Sequence, residues 1–165
     1  MSKRQYPEWM GKMRGLTAQE IQAFLDTPVV ARLAMVKPNG APYLATVWQE
    51  WDGRALYFVP RAKASFVPYI QADPRLCVSC ALDRAPFTRV LFEGRAVSIE
   101  GPRPLEGALL DIGRRMARRY LGERGSEYLE ATRDRPRYLI TFVPETTVSW
   151  EGVEWHDRYL SETTL

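Results

Sequence analysis

The sequence predicts a small, mainly β domain: a six-stranded antiparallel barrel with a few helices at its periphery. Short runs of β-branched and aromatic residues recur along the chain, and tight-turn sequences such as Asp52-Gly53 join neighbouring runs. Helical spacing of apolar residues is confined to a few segments. The chain has 165 residues, 45% hydrophobic and 26% charged, which is typical of one globular domain. We therefore assign residues 1–165 to a single domain.

The first sixty residues predict an arm, a helix and three strands. Residues 1–15 form the arm, and Thr17 and Glu20 then make a capping box that starts a short helix. The sequence Asp26-Thr27-Pro28 ends this helix. The three strands cover residues 29–36, 43–51 and 56–59. Because only short turns separate them, they are predicted to pair as a meander.

A second helix, further strands and a helical insertion follow. Ser65 is predicted to be the N-cap of a helix that runs to Ala72, with Pro68 in its first turn. Gly94 predicts a bulge in the longest strand. The strands cover residues 76–82, 89–100 and 138–144, the last followed by 147–150. Apolar residues repeat at helical spacing over residues 105–120, within an insertion at about 104–131. The barrel then covers 16–149, and residues 150–165 form a tail.

Four arginines crowd one part of the long helix in this insertion: Arg114, Arg115, Arg118 and Arg119. A solvated helix face is the simplest explanation of such a charge run, and a site for a phosphate or an acidic partner is the alternative.

Composition and charge argue against several classes of protein. The chain has no run of about 18 apolar residues, and Met1-Ser-Lys-Arg lacks the apolar core of a signal peptide, so we expect a soluble cytoplasmic protein. A net charge of +3 is too small to indicate nucleic-acid binding. Cys77 and Cys80 lie in a predicted strand, where residues three apart face opposite ways, so a structural role is favoured over a redox role. His156 is the only histidine, and no metal site is expected.

The sequence also lacks the common motifs of enzymes that use their own side chains for chemistry. It has no G-x-G-x-x-G after a strand, no Walker loop and no G-x-S-x-G elbow. Directly after a predicted strand, however, Arg61 offers a planar fork of donors, Lys63 a point charge and Ser65 a hydroxyl at a helix start. This set suits a phosphate. The pattern therefore predicts chemistry carried by a bound, phosphate-bearing cofactor.

The order and spacing of four segments match a known family: VARLAMVKPNGAP at 30–42, LYFVPRAKAS at 56–65, ADPR at 72–75 and VLFEGRA at 90–96. On these segments, from Leu16 to Tyr159, the chain resembles the pyridoxamine 5'-phosphate oxidase-like family, the FMN-binding split barrels. The resemblance implies a split β-barrel. It also implies a homodimer that binds FMN, or the deazaflavin coenzyme F420, in a cleft between two subunits.

The resemblance further implies which residues contact the cofactor. The phosphate would be held by Arg61, Lys63 and Ser65, which agrees with the anion site inferred from the residues alone. The strand that lies along the flavin ring in relatives contains Thr46, Val47 and Trp48.

Two other parts of the chain would complete this site. Arg89 stands where the oxidases carry a glutamine that contacts the ring. The tail is similar to the end of the true oxidases, so Trp150 and Arg158 would approach the flavin and His156 the substrate. Near Glu154, however, an acid replaces the arginine that holds the substrate phosphate in the oxidases. Because an acid repels a phosphorylated substrate, oxidation of pyridoxamine phosphate itself is not expected.

Three hypotheses follow. The first is an FMN-dependent oxidoreductase that transfers hydride through flavin N5 to or from a small organic substrate, which requires no protein nucleophile. The second is an F420-dependent reductase, in which the surplus arginines of the long helix serve the acidic tail of the coenzyme. The third is a non-catalytic flavin- or haem-binding module, with His156 as an axial ligand.

Overall fold

The computed structural model describes residues 13–154, which form one antiparallel sheet with helices packed against it. Its seven strands are β1 (Ala31–Val36), β2 (Pro42–Val47), β3 (Glu50–Trp51), β4 (Leu56–Phe58), β5 (Arg75–Ala81), β6 (Arg89–Arg103) and β7 (Arg137–Trp150). The α-helices are α1 (Ala18–Leu25), α2 (Val67–Ala72), α3 (Gly107–Leu121) and α4 (Gly125–Glu130), and a 3₁₀ turn (Gly122–Arg124) joins the last two.

The strand order in the sheet is β2-β1-β5-β6-β7-β4-β3, and every neighbouring pair is antiparallel. This architecture confirms the predicted mainly β fold of the split-barrel type. The strand count is seven rather than six, because the segment predicted as one strand over 43–51 is two strands, β2 and β3, at opposite edges of the sheet.

Gln49 lies at the break between β2 and β3. Its side chain is fully buried, and its amide Nε2 donates to the carbonyl of Leu25 at 2.8 Å. Its backbone N–H donates to the hydroxyl of Tyr120 at 3.2 Å instead of to a neighbouring strand. The chain therefore leaves β1 after β2 and forms a new hairpin, β3–β4, that pairs with β7. The prediction of a three-strand meander was wrong for this reason.

Two apolar clusters hold the fold together. The larger lies inside the barrel and contains Leu33, Phe58, Val78, Phe92 and Phe142, all fully buried. The smaller packs α3 and α4 against the sheet and is built mainly from Leu105, Leu109, Met116, Leu129 and Leu139. Burial of such side chains is the main favourable term in folding. The second cluster matters for function because it fixes the helices beside the cavity described below.

The long β6–β7 hairpin contains the predicted bulge. The register between the two strands shifts between Glu93 and Gly94, and a Cβ at Gly94 would overlap the carbonyl oxygen of Val143. Glycine is therefore required there because the two backbones approach closely.

The first two helices agree with the sequence to different degrees. The capping box of Thr17 and Glu20 at the start of α1 is confirmed. In α2, Pro68 lies in the first turn as predicted, but the N-cap position is Phe66, which makes no side-chain cap bond. The prediction that Ser65 caps this helix was wrong, because the chain makes one more turn before the helix begins. The Ser65 hydroxyl lies instead 3.3 Å from the hydroxyl of Tyr43.

Within residues 13–154, no helix combines the length and the apolar character needed to cross a membrane.

Candidate functional site

A cavity of about 600 Å³ lies between the end of β2, the segment that follows β4, and helices α3 and α4. This volume is in the range of small-molecule and cofactor sites. Much of its wall is apolar, with contributions from Val30, Val47, Val59, Met116 and Leu129. A planar, largely apolar ligand would therefore find both room and contact area there.

Five of the residues predicted from the sequence line this cavity: Thr46, Val47, Trp48, Arg61 and Lys63. The sheet brings them together because the end of β2 and the segment after β4 border the same opening. Ser65 lies two residues beyond Lys63, exposed and outside the lining, beside Tyr43.

Arg89 and Trp150 form a separate pair. They are cross-strand partners on β6 and β7, and the Arg89 guanidinium lies 4.8 Å from the centroid of the Trp150 ring. This pair is at the opposite end of β7 from the cavity, which borders Arg137 at the start of the strand. One chain therefore does not bring them to the cavity. Arg158 and His156 lie outside the described residues.

Three cationic side chains line the cavity: Arg61, Lys63 and Arg137. Arg61 and Lys63 are exposed, whereas Arg137 is only 6% exposed. No Asp or Glu of residues 13–154 lines the cavity, and within this range none of the three cations takes part in a salt bridge. The site is therefore strongly positive and suited to an anion.

Sequence reasoning missed Arg137, because it comes far from Arg61 along the chain at the start of a separate strand. The two arginines are nevertheless partners in an antiparallel bridge. Backbone hydrogen bonds on both sides hold the bridge: Ala62 N–H donates to the Pro136 carbonyl and Tyr138 N–H to the Pro60 carbonyl, each at 2.9 Å.

Tyr128 stands beside these cations. Its hydroxyl accepts from Nη1 of Arg137 at 3.3 Å, and the Arg137 guanidinium lies 5.5 Å from its ring centroid. Burial tends to raise the pKa of Tyr128, but the hydrogen bond from Arg137 and the charges of Arg137 and Arg61 outweigh it, so the pKa lies below its usual value. A group whose charged form is favoured in this way reports how positive the cavity is.

Trp48 is held rigidly at the cavity wall. Its ring stacks on Tyr120 with centroids 4.9 Å apart and an interplanar angle of 2°. Tyr120 is fixed in turn, because its hydroxyl donates to the Val29 carbonyl at 2.6 Å and accepts from the Gln49 N–H. Burial raises the pKa of Tyr120 to about 12, so this hydroxyl stays protonated at neutral pH. Trp48 can therefore serve as a preformed flat surface.

The arginine cluster on α3 is divided between two environments. Glu50, 5% exposed, binds Nε of Arg115 at 2.5 Å and Nη2 of Arg119 at 2.7 Å, and Arg119 also donates to the Gln49 carbonyl at 2.9 Å. A solvated face is therefore wrong for Arg119, which joins α3 to β3.

Arg114 and Arg118 are the members of this cluster that border a second cavity, of about 620 Å³. Two acids, Glu123 and Glu130, line the same cavity, and Arg114 contacts Asp111 at 3.2 Å. The charges at this second cavity thus balance.

The two cysteines lie on β5 as predicted, and both are free thiols. Cys80 is fully buried, and burial raises its pKa to about 12. A thiol with such a pKa is a poor nucleophile, which agrees with a structural role.

The sheet order defines a split-barrel protein, and its cavity is lined by cations. The family model described as Pyridoxamine 5'-phosphate oxidase matches residues 17–151. The chain belongs to this family. Comparison with curated proteins gave no match.

Solved structures share the fold. A conserved hypothetical protein of Mycobacterium tuberculosis is 24% identical, with a TM-score of 0.67 and 91% of each chain covered. An F420 reductase is 23% identical, with a TM-score of 0.57, 76% of this chain covered and 94% of that one. A FAD-binding protein of Mesorhizobium loti is 21% identical, with a TM-score of 0.55, 84% of this chain covered and 96% of that one. The fold thus occurs in an F420 reductase and in a FAD-binding protein.

Proposed function

We propose that this protein is an FMN-dependent oxidoreductase that transfers hydride to or from a small organic substrate. The observation that carries the proposal is the composition of the cavity wall. The wall is largely apolar and contains three cationic side chains, and no carboxylate of residues 13–154 lines it. An isoalloxazine ring needs the apolar walls, and a phosphate needs the cations.

Different residues contact the phosphate and the ring of FMN in this proposal. Arg61 and Lys63 bind the phosphate by charge-assisted hydrogen bonds, with Ser65 nearby. Thr46, Val47 and Trp48 border the ring and fix its orientation. When bound, the flavin supplies the hydride chemistry at N5. The role of the protein is then to position the reactants and exclude water, which agrees with the lack of a recognisable nucleophile motif.

We further propose a homodimer in which each cavity is completed by the partner subunit. The resemblance assigns Arg89 and Trp150 to the flavin, yet in one chain they lie at the far end of β7 from the cavity. A two-fold related copy can bring the equivalent pair to the cavity. The resemblance assigns Arg158 and His156, which lie outside the described residues, to the same site.

F420 is the second candidate cofactor, supported by the likeness to an F420 reductase. The second cavity is a weak argument for its acidic tail, because Arg114 and Arg118 are balanced there by Glu123 and Glu130. A haem-binding module is the third candidate, because HutZ, a haem storage protein of Vibrio cholerae, has the same fold at 18% identity and a TM-score of 0.63.

We also propose that the protein works in the cytoplasm. Its two cysteines are free thiols, which suits a reducing compartment.

An absorbance spectrum of the purified protein, recorded alone and after addition of FMN, F420 or haemin, tests the proposal. We expect saturable changes in the flavin bands with FMN. If the protein binds F420 but not FMN, the cofactor is the deazaflavin and not FMN. A Soret band that appears with haemin and is lost on His156→Ala would favour the haem-binding module. If no chromophore binds, the oxidoreductase proposal fails.

A further inference from the structure

Arg137 is a buried cation whose hydrogen-bonding groups are only partly satisfied within residues 13–154. It is 6% exposed, and its Nε is buried without a hydrogen-bond partner among the described residues. Nη2 donates to the Thr132 hydroxyl at 2.7 Å, and both Nη atoms lie within 3.4 Å of the Tyr128 hydroxyl. These partners are neutral, so they fix the plane of the guanidinium without neutralising its charge.

The position of Arg137 makes this charge more costly. Arg61 is its antiparallel bridge partner, and both side chains line the same cavity. Like charges directly opposite each other on neighbouring strands are destabilising. Burying a charge without a counter-charge is more costly still. Within residues 13–154, no carboxylate lines the cavity to relieve either cost.

An anionic ligand removes both costs at once. Lys63 adds a third cation at the same opening, so the site suits a group that carries close to two negative charges. A phosphomonoester has about that charge at neutral pH, together with three acceptor oxygens that several donors can share. A carboxylate has one charge and two oxygens, and would leave the site positive.

We propose that Arg137 is the buried anchor of a phosphomonoester subsite, which it forms with the two exposed cations Arg61 and Lys63. This inference rests on the proposed function and names a binding residue for it. Thr132 and Tyr128 hold the guanidinium in place before the ligand arrives, so little side-chain freedom is lost on binding. Arg61 and Lys63 approach the same group from the solvent side.

Substitution of Arg137 tests the subsite when FMN is compared with riboflavin, which lacks the phosphate. We expect Arg137→Met to weaken FMN binding by about tenfold or more and to leave riboflavin binding within about twofold, because only the phosphate loses a contact. Arg137→Lys should recover part of the loss. Arg135→Met is the matched control: it removes the same charge at an exposed site outside the cavity lining, and should change neither affinity.

A second readout does not depend on flavin. Inorganic phosphate should raise the Tm of the wild-type protein above its value in chloride of equal ionic strength, and Arg137→Met should abolish this rise. If Arg137→Met does not fold, Arg137→Gln keeps hydrogen-bond donors for Thr132 and carries the same test.

The outcomes separate the two proposals. Loss of phosphate stabilisation in the Arg137 variants, in a protein that binds no flavin, would overturn the flavin function and keep the subsite. Equal loss of FMN and riboflavin affinity, with the phosphate effect on Tm intact, would make Arg137 a structural residue and overturn the subsite.

Discussion

Arg61 and Lys63 are the exposed cations at the cavity, and both are free of ion pairs within residues 13–154. An exposed cation that is not held in an ion pair keeps hydrogen-bonding capacity for a ligand. Their contribution can therefore be removed without breaking a contact that the fold needs.

We expect the double substitution Arg61→Ala, Lys63→Ala to weaken FMN binding by about a hundredfold or more. Two charge-assisted hydrogen bonds to phosphate are lost, at a cost of about 3 kcal/mol or more. Fluorescence titration measures the affinity, and urea unfolding should show little change in stability. The control Arg54→Ala, Arg124→Ala removes two exposed charges outside the cavity lining. Unchanged FMN affinity in the first variant would remove these residues from the phosphate site.

At the residue scale, the sequence reveals what is local. The role of Arg61 and Lys63 as cations of a binding site could be predicted because they come shortly after a strand. Binding residues are often found in the loops that follow strands. The role of Arg137 could not be predicted, because its place opposite Arg61 depends on the pairing of β4 with β7. That pairing joins distant parts of the chain and leaves no mark in either local sequence.

At the scale of elements, Glu50 on β3 joins this strand to helix α3 through ion pairs. Its carboxylate binds Arg115 and the largely buried Arg119, whose side chain is 12% exposed. This ion pair holds α3 and so positions Tyr120, against which Trp48 stacks. The sequence showed the arginines but not their partner, since Glu50 reads as an ordinary hairpin acid.

We expect Glu50→Ala to lower the free energy of unfolding by about 3 kcal/mol, because the largely buried Arg119 then keeps only the exposed Asp26, at 3.6 Å, as a counter-charge. Urea unfolding measures the change. Glu145→Ala is the matched control: it removes a carboxylate that also contacts an arginine, Arg95, at 2.6 Å, but both side chains are more than half exposed. That pair should contribute less than about 1 kcal/mol. Equal effects of the two substitutions would contradict a structural role for Glu50.

The start of α1 gives stability a dependence on acid pH. A hydrogen bond from Arg14, with further ones from Thr17, lowers the pKa of Glu20 from 4.5 to about 2. Because the folded pKa is the lower one, the charge of Glu20 stabilises the fold above pH 4.5, and this contribution is lost as the pH falls towards 2.

We therefore expect Glu20→Gln to be less stable than the wild type at pH 7, with a difference that stays constant down to about pH 5 and then shrinks. Glutamine retains the capping-box geometry, so the variant isolates the charge. Urea unfolding at a series of pH values measures the difference. A gap that is independent of pH between 7 and 3 would show that the charge is not responsible.

At the scale of the whole molecule, the hairpins were predictable and their arrangement was not. The turns after β1 and β3 carry strong local signals, and both hairpins form. The local sequence does not indicate that the β3–β4 hairpin separates from β2 and pairs with β7. That pairing depends on the simultaneous burial of Gln49 and of the two apolar clusters. The split-barrel arrangement of the strands was predicted from the family resemblance, because the resemblance extends over nearly the whole chain.

The proposed dimer is also a property of the whole molecule. The surface carries exposed apolar side chains on three strands, among them Leu44 at 60%, Val97 at 56% and Val148 at 50% exposed. The dimer is proposed because the resemblance assigns Arg89 and Trp150 to the flavin, whereas both lie away from the cavity of their own chain. We expect sedimentation to give twice the mass of one 19.0 kDa chain.

Mixing two defective variants decides whether the partner completes the site. One variant carries Arg61→Ala with Lys63→Ala, the other Arg89→Ala with Trp150→Ala, and each alone should bind FMN weakly. If Arg89 and Trp150 act on the partner's cavity, each heterodimer contains one doubly defective site and one intact site. Co-refolding in equal amounts should then restore about one quarter of the wild-type number of tight FMN sites. If the pair acted on the cavity of its own chain, every site would keep one defect and the mixture would recover nothing. Because an intact site can then form only between the two different chains, recovery shows that Arg89 and Trp150 act on the cavity of the partner subunit.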